Sequence, residues 1–159
     1  VWDRLGFVHT DIATAPAAQL GLSNQFVSGW ALATSPAAPD FVAAIGTDHH
    51  NANGVMAGRS FDGGATWTRF GSITAAGVNT PSELRFGEIV ASATDVNHLA
   101  WLPRHGAQIL RYTTDGGATW QNSSVALDDW NAYFFGNRRR LAADGATGGK
   151  FYLYQWTNG

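Results

Sequence analysis

An eight-residue segment occurs twice in this chain, and its spacing constrains the fold more than any other feature. Ser60–Trp67 reads SFDGGATW, and Thr113–Trp120 reads TTDGGATW. The aspartates of the two copies lie 53 residues apart. Repeats with a period of about 40–50 residues are typical of β-propeller blades. The spacing therefore predicts that the chain repeats one supersecondary unit.

The similarity between the two copies extends upstream of the shared segment. Ser35–Ala43 (SPAAPDFVA) matches Ser92–Ala100 (SATDVNHLA), a small polar turn followed by an apolar strand. A third copy begins in Leu141–Tyr154, but the sequence reaches Gly159 without a third DGGATW. Short alternating stretches such as QILRYT and KFYLY are typical of strands, and clusters of Gly, Pro, Asn and Asp separate them. No stretch has the pattern of a capped amphipathic helix.

These patterns predict an all-β chain, a β-propeller segment of two to three four-stranded antiparallel blades. We expect an initial segment over residues 1–25, blades over 26–80 and 81–135, and an incomplete blade over 136–159. Propellers close with about 4–8 blades. The chain is therefore expected to be part of a larger propeller, or to have its strand edges covered by another chain or by self-association. A small β-sandwich with two similar hairpins is the alternative architecture.

Composition narrows the classes of partner. The formal net charge is −2, which gives no reason to expect nucleic acid or an anionic membrane. The absence of Cys excludes disulfides, zinc–thiolate sites and thiol catalysis. Seven Trp, nine Phe and four Tyr on a chain with 14% charged residues suit neutral ligands such as sugars. We expect no cofactor and no metal, and the first residues (VWDRLGF) lack the pattern of a signal peptide.

The repeated segment reads Ser/Thr-x-Asp-x-Gly-x-Thr-Trp and allows a catalytic or a structural interpretation. The aspartates could be paired acids, but catalytic groups seldom recur with the period of a fold. A turn whose Asp accepts backbone N–H bonds, with Gly at positive φ, is the favoured interpretation. A calcium loop would need a second carboxylate that is missing here. The predicted structural residues are Ser60, Asp62, Gly64, Thr66 and Trp67, and Thr113, Asp115, Gly117, Thr119 and Trp120.

The same pattern resembles the Asp-box, or bacterial neuraminidase repeat, of sialidases and several other propeller proteins. On its own that resemblance implies a fold element and no particular reaction. Sialidases add an arginine triad that binds a carboxylate. Here arginines cluster in Asn137–Arg140 (NRRR), which we expect to form a solvated loop.

A second resemblance covers the whole chain. Trp2–Ile12 (WDRLGFVHTDI) is similar to the D-x-x-G-F-x-H-x-D segment of glycoside hydrolase family 74, the xyloglucanases. Phe26–Gly46, Gly87–Pro103 and Arg140–Tyr154 follow in the order of corresponding strand passages in the second propeller of that family. Enzymes of that family place two seven-bladed propellers face to face. They cleave β-1,4-glucan backbones that carry xylose branches, by inversion, with one catalytic Asp from each propeller.

The resemblance implies that Asp3 is the general acid, in a motif continued by Gly6, Phe7 and His9. An inverting glycosidase needs a protonated and an ionised carboxyl group about 6.5–9.5 Å apart. Nothing in the sequence resembles the first propeller, so the partner base is absent and the chain alone is expected to be inactive. Trp2 and Leu5 replace glycines that the family usually has, which indicates an altered surrounding of the acid.

Aromatic side chains outside the repeated segments are the candidates for stacking on sugar rings. The substrate-binding candidates are His9, Trp30, Trp101, Trp130 and Tyr133. Trp30 and Trp101 lie in apolar segments, where a core position is favoured. Trp130 and Tyr133 follow Asp128 and Asp129 in a long loop, where either interpretation holds. The adjacent His49 and His50 are expected in a surface loop and not in a metal site, because neighbouring side chains of an extended chain point in opposite directions.

The sequence therefore favours part of a xyloglucanase-like glycoside hydrolase, with β-glucan or xyloglucan as partner. A non-catalytic β-glucan-binding module is the alternative, and a structural protein whose blades mediate contacts between chains is the third hypothesis. Secretion is implied by the family resemblance.

Overall fold

The computed structural model describes residues 6–16, 20, 28–47, 55–70, 87–103, 109–125, 127 and 139–155. These residues form ten strands and contain no helix, which confirms the prediction of an all-β chain for this part of the protein. The strands are β1 (Ser28–Ser35), β2 (Ala38–Thr47), β3 (Val55–Ser60), β4 (Thr68–Arg69), β5 (Glu88–Ala91), β6 (Leu99–Leu102), β7 (Arg111–Thr113), β8 (Gln121–Asn122), β9 (Arg139–Ala143) and β10 (Phe151–Gln155).

The strands form three sheets in chain order. β1–β4 form the first sheet and β5–β8 the second, each with its strands in sequential order, and β9 and β10 form a third. All pairings are antiparallel. The described residues form three sheets, so a sandwich of two sheets does not describe their arrangement. The strands fall within the residue intervals expected from the repeat, whose boundaries remain a prediction.

The sheets are stacked, and the second sheet is buried on both faces. Leu99 and Trp101 belong to a core shared with Phe41 and Ile45 of the first sheet. Their neighbours in β6 face the third sheet, where Ala100 and Leu102 pack with Leu141, Phe151 and Leu153. Because successive side chains of a strand point to opposite faces, β6 is buried at all four positions.

The leading strands of the three sheets lie next to one another, β1 against β5 and β5 against β9. Ser35 Oγ donates to the carbonyl oxygen of Ser92 at 2.6 Å, and the Gly149 backbone N–H donates to Ser92 Oγ at 2.9 Å. Near the other end of these strands, Glu88 accepts bonds from the Leu141 backbone N–H at 2.6 Å and from Arg140 at 2.8 Å. These contacts fix the second sheet to the third at both ends and to the first at one end, with the leading strands side by side.

Arg111 places a charged group in the core between the first two sheets. It is 3% exposed and lies directly opposite Trp101 in the β6–β7 register. Its Nε has no hydrogen-bond partner within the part of the chain that the structure describes, and burial lowers the pKa of the guanidinium. A buried donor without a partner costs about 1–3 kcal/mol. The unpaired Nε of Arg111 therefore opposes folding, while the stem of the side chain fills the core.

We expect Arg111→Met, which keeps the stem and removes the guanidinium, to leave the free energy of unfolding unchanged or to raise it by up to about 2 kcal/mol. Urea unfolding followed by Trp fluorescence measures this. Arg59→Met is the matched control, because Arg59 donates to Asn97 at 3.4 Å and lies 5.3 Å from the centroid of the Phe61 ring. The control should be slightly destabilised. A loss above about 1 kcal/mol for Arg111→Met would show that the guanidinium makes a stabilising bond.

Candidate functional site

The first repeated segment, Ser60–Trp67, is a turn held by its own aspartate. Asp62 Oδ1 accepts bonds from Ser60 Oγ at 2.7 Å and from the Thr66 backbone N–H at 2.8 Å, and Asp62 Oδ2 accepts from the Thr66 hydroxyl at 2.5 Å. Ser60 Oγ in turn accepts the Gly64 N–H at 2.8 Å. Trp67 Nε1 donates to the Gly64 carbonyl at 2.8 Å, so the indole is fixed to the turn.

The second segment, Thr113–Trp120, repeats this bonding with Thr in place of Ser. Thr113 Oγ1 donates to Asp115 at 2.7 Å and accepts the Gly117 N–H at 3.0 Å. The Thr119 backbone N–H and hydroxyl donate to Asp115 at 2.9 and 2.6 Å. One element differs, since Trp120 Nε1 has no hydrogen-bond partner within the described residues. The two turns thus share one carboxylate-centred scaffold.

This bonding decides what the two carboxylates can do chemically. The hydroxyl and backbone N–H of Thr66, with the Ser60 hydroxyl, lower the pKa of Asp62 to about 2. The Thr113 and Thr119 hydroxyls hold the pKa of Asp115 well below its usual range. A general acid needs a raised pKa near the working pH. Neither aspartate can hold a proton near neutral pH, and both serve the turn.

The glycines of the turns allow each turn to pack closely on what precedes it. Gly64 has a φ of +94°, and a Cβ there would lie 2.2 Å from a Leu20 methyl carbon. Gly117 has a φ of +88°, and a Cβ there would lie 2.2 Å from the Phe70 ring. Trp120 completes the second contact, with ring centroids 5.5 Å from Phe70. Turn geometry and packing between sheets are therefore one feature.

Asp62 should make stability depend on pH between about 4 and 2. Its folded pKa is lowered to about 2 from 3.8, so its contribution is present above pH 3.8 and is lost as the pH falls through the folded value. We expect Asp62→Asn to lower the melting temperature at pH 7 and to flatten its decline in this range. Part of the decline in melting temperature should remain in this variant, because the pKa values of Asp115 and Asp144 are also lowered.

Thermal unfolding followed by circular dichroism from pH 2 to pH 7 measures both effects. Asp11→Asn is the control, since it removes the same charge from an exposed segment outside both turns. Equal pH profiles for Asp62→Asn and the unsubstituted chain would contradict the assignment.

The strand ends opposite the repeated turns lie together on one side of each sheet, which is here called the loop edge. β1, β3, β5, β7 and β9 begin there, while the repeated turns and the β1–β2, β5–β6 and β9–β10 turns lie at the other edge. The connections from β4 to β5 and from β8 to β9 also leave the sheets at the loop edge. In a rigid β scaffold, long connections at one edge are the usual position of ligand-binding residues. The turn edge of the sheets thus has short turns, whereas longer connections leave from the loop edge.

Trp30 lies at the loop edge, near the start of β1. The register of β1 on β2 shifts between Gly29 and Ala31, which makes Trp30 the extra residue of a β-bulge. Its side chain is partly buried. Bulges often re-aim a side chain beside a binding site. Sequence reasoning favoured a core position for Trp30, and nothing in the sequence signals the bulge.

Trp101 must be corrected as a substrate-binding candidate. Its side chain is 0% exposed and packs edge-on against Trp120, with ring centroids 6.2 Å apart. A ring enclosed between two sheets has no face to offer to a sugar. The core interpretation of Trp101 is the one that the packing supports.

Of the remaining predicted site residues, the structure describes only His9. His9 is exposed in the segment that precedes the first sheet. Asp3, Trp130 and Tyr133 lie outside the described residues, as do His49, His50, Asp128 and Asp129. The connection that contains Trp130 and Tyr133 joins β8 to β9 and is attached to both at the loop edge.

Comparison with known proteins bears on the fold. No protein-family model matches the sequence, and no curated protein matches it. The solved structures that are similar to this chain include two GH74 enzymes. The GH74 enzyme of Niastella koreensis superimposes with a TM-score of 0.67 at 23% identity, over 97% of this chain and 18% of that enzyme. The GH74 xyloglucanase of Xanthomonas campestris gives a TM-score of 0.59 at 24% identity, over 80% of this chain and 16% of that enzyme.

The chain shares its fold with a segment of each enzyme. It spans less than a fifth of the length of either one. At these identities the likeness concerns the fold and does not extend to the reaction.

Two further predictions can be compared with the structure. The solvated loop expected over Asn137–Arg140 is wrong for Arg139 and Arg140, which begin β9. Arg140 is exposed but bonded to Glu88, an interaction between sheets that the sequence does not signal. Among the described residues, no group of three or more His, Asp or Glu side chains could hold a metal ion. The described residues contain no helix that is long and apolar enough to cross a membrane.

Proposed function

We propose that this chain is a β-propeller segment of a xyloglucanase-like glycoside hydrolase, in which Asp3 is the general acid. The observation that carries the proposal is the fold likeness to a GH74 enzyme over 97% of the chain. One of the similar structures is named as a xyloglucanase. The likeness agrees with the independent match of Trp2–Ile12 to the D-x-x-G-F-x-H-x-D motif.

In this proposal the two four-stranded sheets are blades, the repeated turns are Asp-boxes, and the third sheet belongs to a further blade. The domain boundaries are those given by the repeat. The catalytic role is given to a residue outside the turns, because Asp62 and Asp115 accept the hydrogen bonds that hold the turns. The turn edge therefore stabilises the fold, and the loop edge faces the glycan.

The reaction is hydrolysis of a β-1,4-glucan backbone with inversion at the anomeric carbon. Asp3 donates its proton to the leaving oxygen, while a carboxylate from elsewhere in the intact protein activates the attacking water. The two carboxyl groups must lie about 6.5–9.5 Å apart to hold that water. Asp3 must then have a pKa raised toward the working pH.

The glycan is held by aromatic rings and by His9. Trp30, Trp130 and Tyr133 supply the rings, and Trp101 is left out because it is buried. Stacking on neutral sugar rings suits a chain with a net charge of −2 and few charged residues. The substrate is extracellular plant polysaccharide, so the intact protein is secreted.

The catalytic role of Asp3 is tested in the intact enzyme. We expect Asp3→Asn to lower kcat on xyloglucan by about 10²–10⁴-fold with little change in KM, because the general acid acts on the bond being broken. Residues 1–159 alone should show no hydrolysis.

Asp95→Asn is the matched control. Asp95 lies in the β5–β6 turn at the other edge, where it accepts the Asn97 backbone N–H, and the proposal gives it no catalytic role. Its kcat should equal that of the unsubstituted enzyme. An Asp3→Asn enzyme with full activity would refute the assignment.

A non-catalytic β-glucan-binding module is the second candidate, favoured by the position of Trp30 at a bulge on the loop edge. If the loop edge binds glycan, Trp30→Ala should weaken binding of a xyloglucan oligosaccharide by about 3–10-fold, the usual worth of an aromatic contact. Isothermal titration calorimetry on residues 1–159 measures this.

Phe61→Ala is the control for loss of an aromatic side chain. Phe61 is 54% exposed but lies in the first repeated turn, at the opposite edge. Binding that is weakened equally by both substitutions, or by neither, would argue against a glycan site at the loop edge.

A further inference from the structure

Two buried N–H donors without partners lie in the core between the first and second sheets. Arg111 is 3% exposed and Trp120 is 6% exposed. Arg111 Nε and Trp120 Nε1 have no hydrogen-bond partner within the part of the chain that the structure describes. Buried polar atoms in folded proteins are nearly always paired, either with protein groups or with a bound species. Two such donors in one core therefore need a hydrogen-bond acceptor.

The two donors lie on the same face of the second sheet and share Trp101 as a neighbour. In β7, Arg111 and Thr113 are buried, while Tyr112 between them is exposed. Arg111 lies directly opposite Trp101 in the β6–β7 register, which places their Cβ atoms about 4.5–5.5 Å apart. The Trp101 and Trp120 rings are in contact, with centroids 6.2 Å apart. Both donors therefore belong to the face that packs on the first sheet.

The surrounding core offers neither an acceptor nor an opposite charge. The two tryptophans share a cluster with apolar side chains of the first sheet, namely Ala33, Phe41, Ala43, Ile45, Ala57 and Phe70. Arg59 of the first sheet also reaches the second sheet, where it donates to the neutral side-chain amide of Asn97 at 3.4 Å. Within the described residues, neither Arg59 nor Arg111 takes part in an ion pair. The contact between the two sheets thus carries positive charge.

The charge of Arg111 decides which kind of acceptor fits. Burial lowers the pKa of Arg111, but a guanidinium remains protonated at neutral pH. A water molecule would accept both hydrogen bonds and would leave the buried charge uncompensated. An anion accepts the bonds and compensates the charge. Sulfate or phosphate would bring several oxygens that need further donors, whereas a halide is satisfied by few donors and tolerates apolar neighbours.

We propose that the core between the first and second sheets binds a small monovalent anion such as chloride, held by Arg111 Nε and Trp120 Nε1. The anion would connect β7 to the end of the second repeated turn. This site goes beyond the proposed function and depends neither on Asp3 nor on a glycan. The unchanged or raised stability expected for Arg111→Met refers to a buffer whose anions are too large for the site. With the anion bound, Arg111 stabilises the contact between the sheets.

Thermal unfolding tests the proposal when sodium gluconate is replaced stepwise by sodium chloride or sodium bromide at constant ionic strength. Gluconate is too large to enter a packed core. We expect the melting temperature of the chain to rise by about 2–4 °C and then to saturate, because a ligand that binds only the folded state stabilises it. Arg111→Met and Trp120→Phe should each lose most of this rise, since each removes one of the two donors.

Two matched controls remove the same groups where they have partners. Trp67→Phe removes the indole N–H that donates to the Gly64 carbonyl in the first repeated turn. Arg59→Met removes the guanidinium that donates to Asn97. Both variants should keep the halide-dependent rise, even if their melting temperatures in gluconate are lower. The measured quantity is the change with halide, so a less stable variant still gives a result.

Crystals soaked in bromide locate the anion by anomalous diffraction. We expect a peak within hydrogen-bond distance of both Arg111 Nε and Trp120 Nε1. A melting temperature that does not respond to halide, or a response that Arg111→Met retains in full, would overturn the proposal. A water at the two nitrogens, with no bromide peak there, would overturn it in favour of a neutral acceptor. None of these measurements uses a glycan, so failure here is distinct from loss of hydrolysis or glycan binding.

Discussion

The packing of a repeated turn on the preceding sheet is the interaction on which the rest of this structure depends. Asp115 fixes the second turn through hydrogen bonds from Thr113 and Thr119. That fixed shape brings Gly117 and Trp120 onto Phe70. Without the carboxylate the turn would lose these hydrogen bonds and change its conformation, and the contact of Trp120 with Phe70 would be lost. Local hydrogen bonding and long-range packing are therefore coupled at one residue.

This coupling explains why the two edges of the sheets can have different roles. At the turn edge, the hydrogen bonds within each repeated turn lower the pKa of Asp62 and Asp115. Neither carboxyl group is therefore suited to act as a general acid. At the loop edge, β1 carries Trp30 as an extra residue, and the pairing of β1 with β2 continues regularly from Ala31 to Thr34. The described part of β5 has no such extra residue in its pairing with β6.

Sequence reasoning succeeded where the signal was local or periodic. The strands around QILRYT and KFYLY and the bonding of Asp62 follow from residue type and spacing, because turns and alternation depend on neighbours in the chain. It missed the interactions that depend on stacking. Arg111 faces the first sheet, and Arg140 of the third sheet bonds to Glu88 of the second, which no local pattern records. The core position of Trp101 was favoured from its apolar segment, and its packing agrees. The assigned acid, Asp3, came from resemblance alone, and neither alternation nor spacing would have identified it.

Stacking also sets how stability is distributed. In an array of repeated units each unit is stabilised mainly by its nearest neighbours, so a unit with one neighbour is weaker than a unit with two. The second sheet has a core on both faces, whereas the outer face of the third sheet exposes Tyr152 and Tyr154 by half or more.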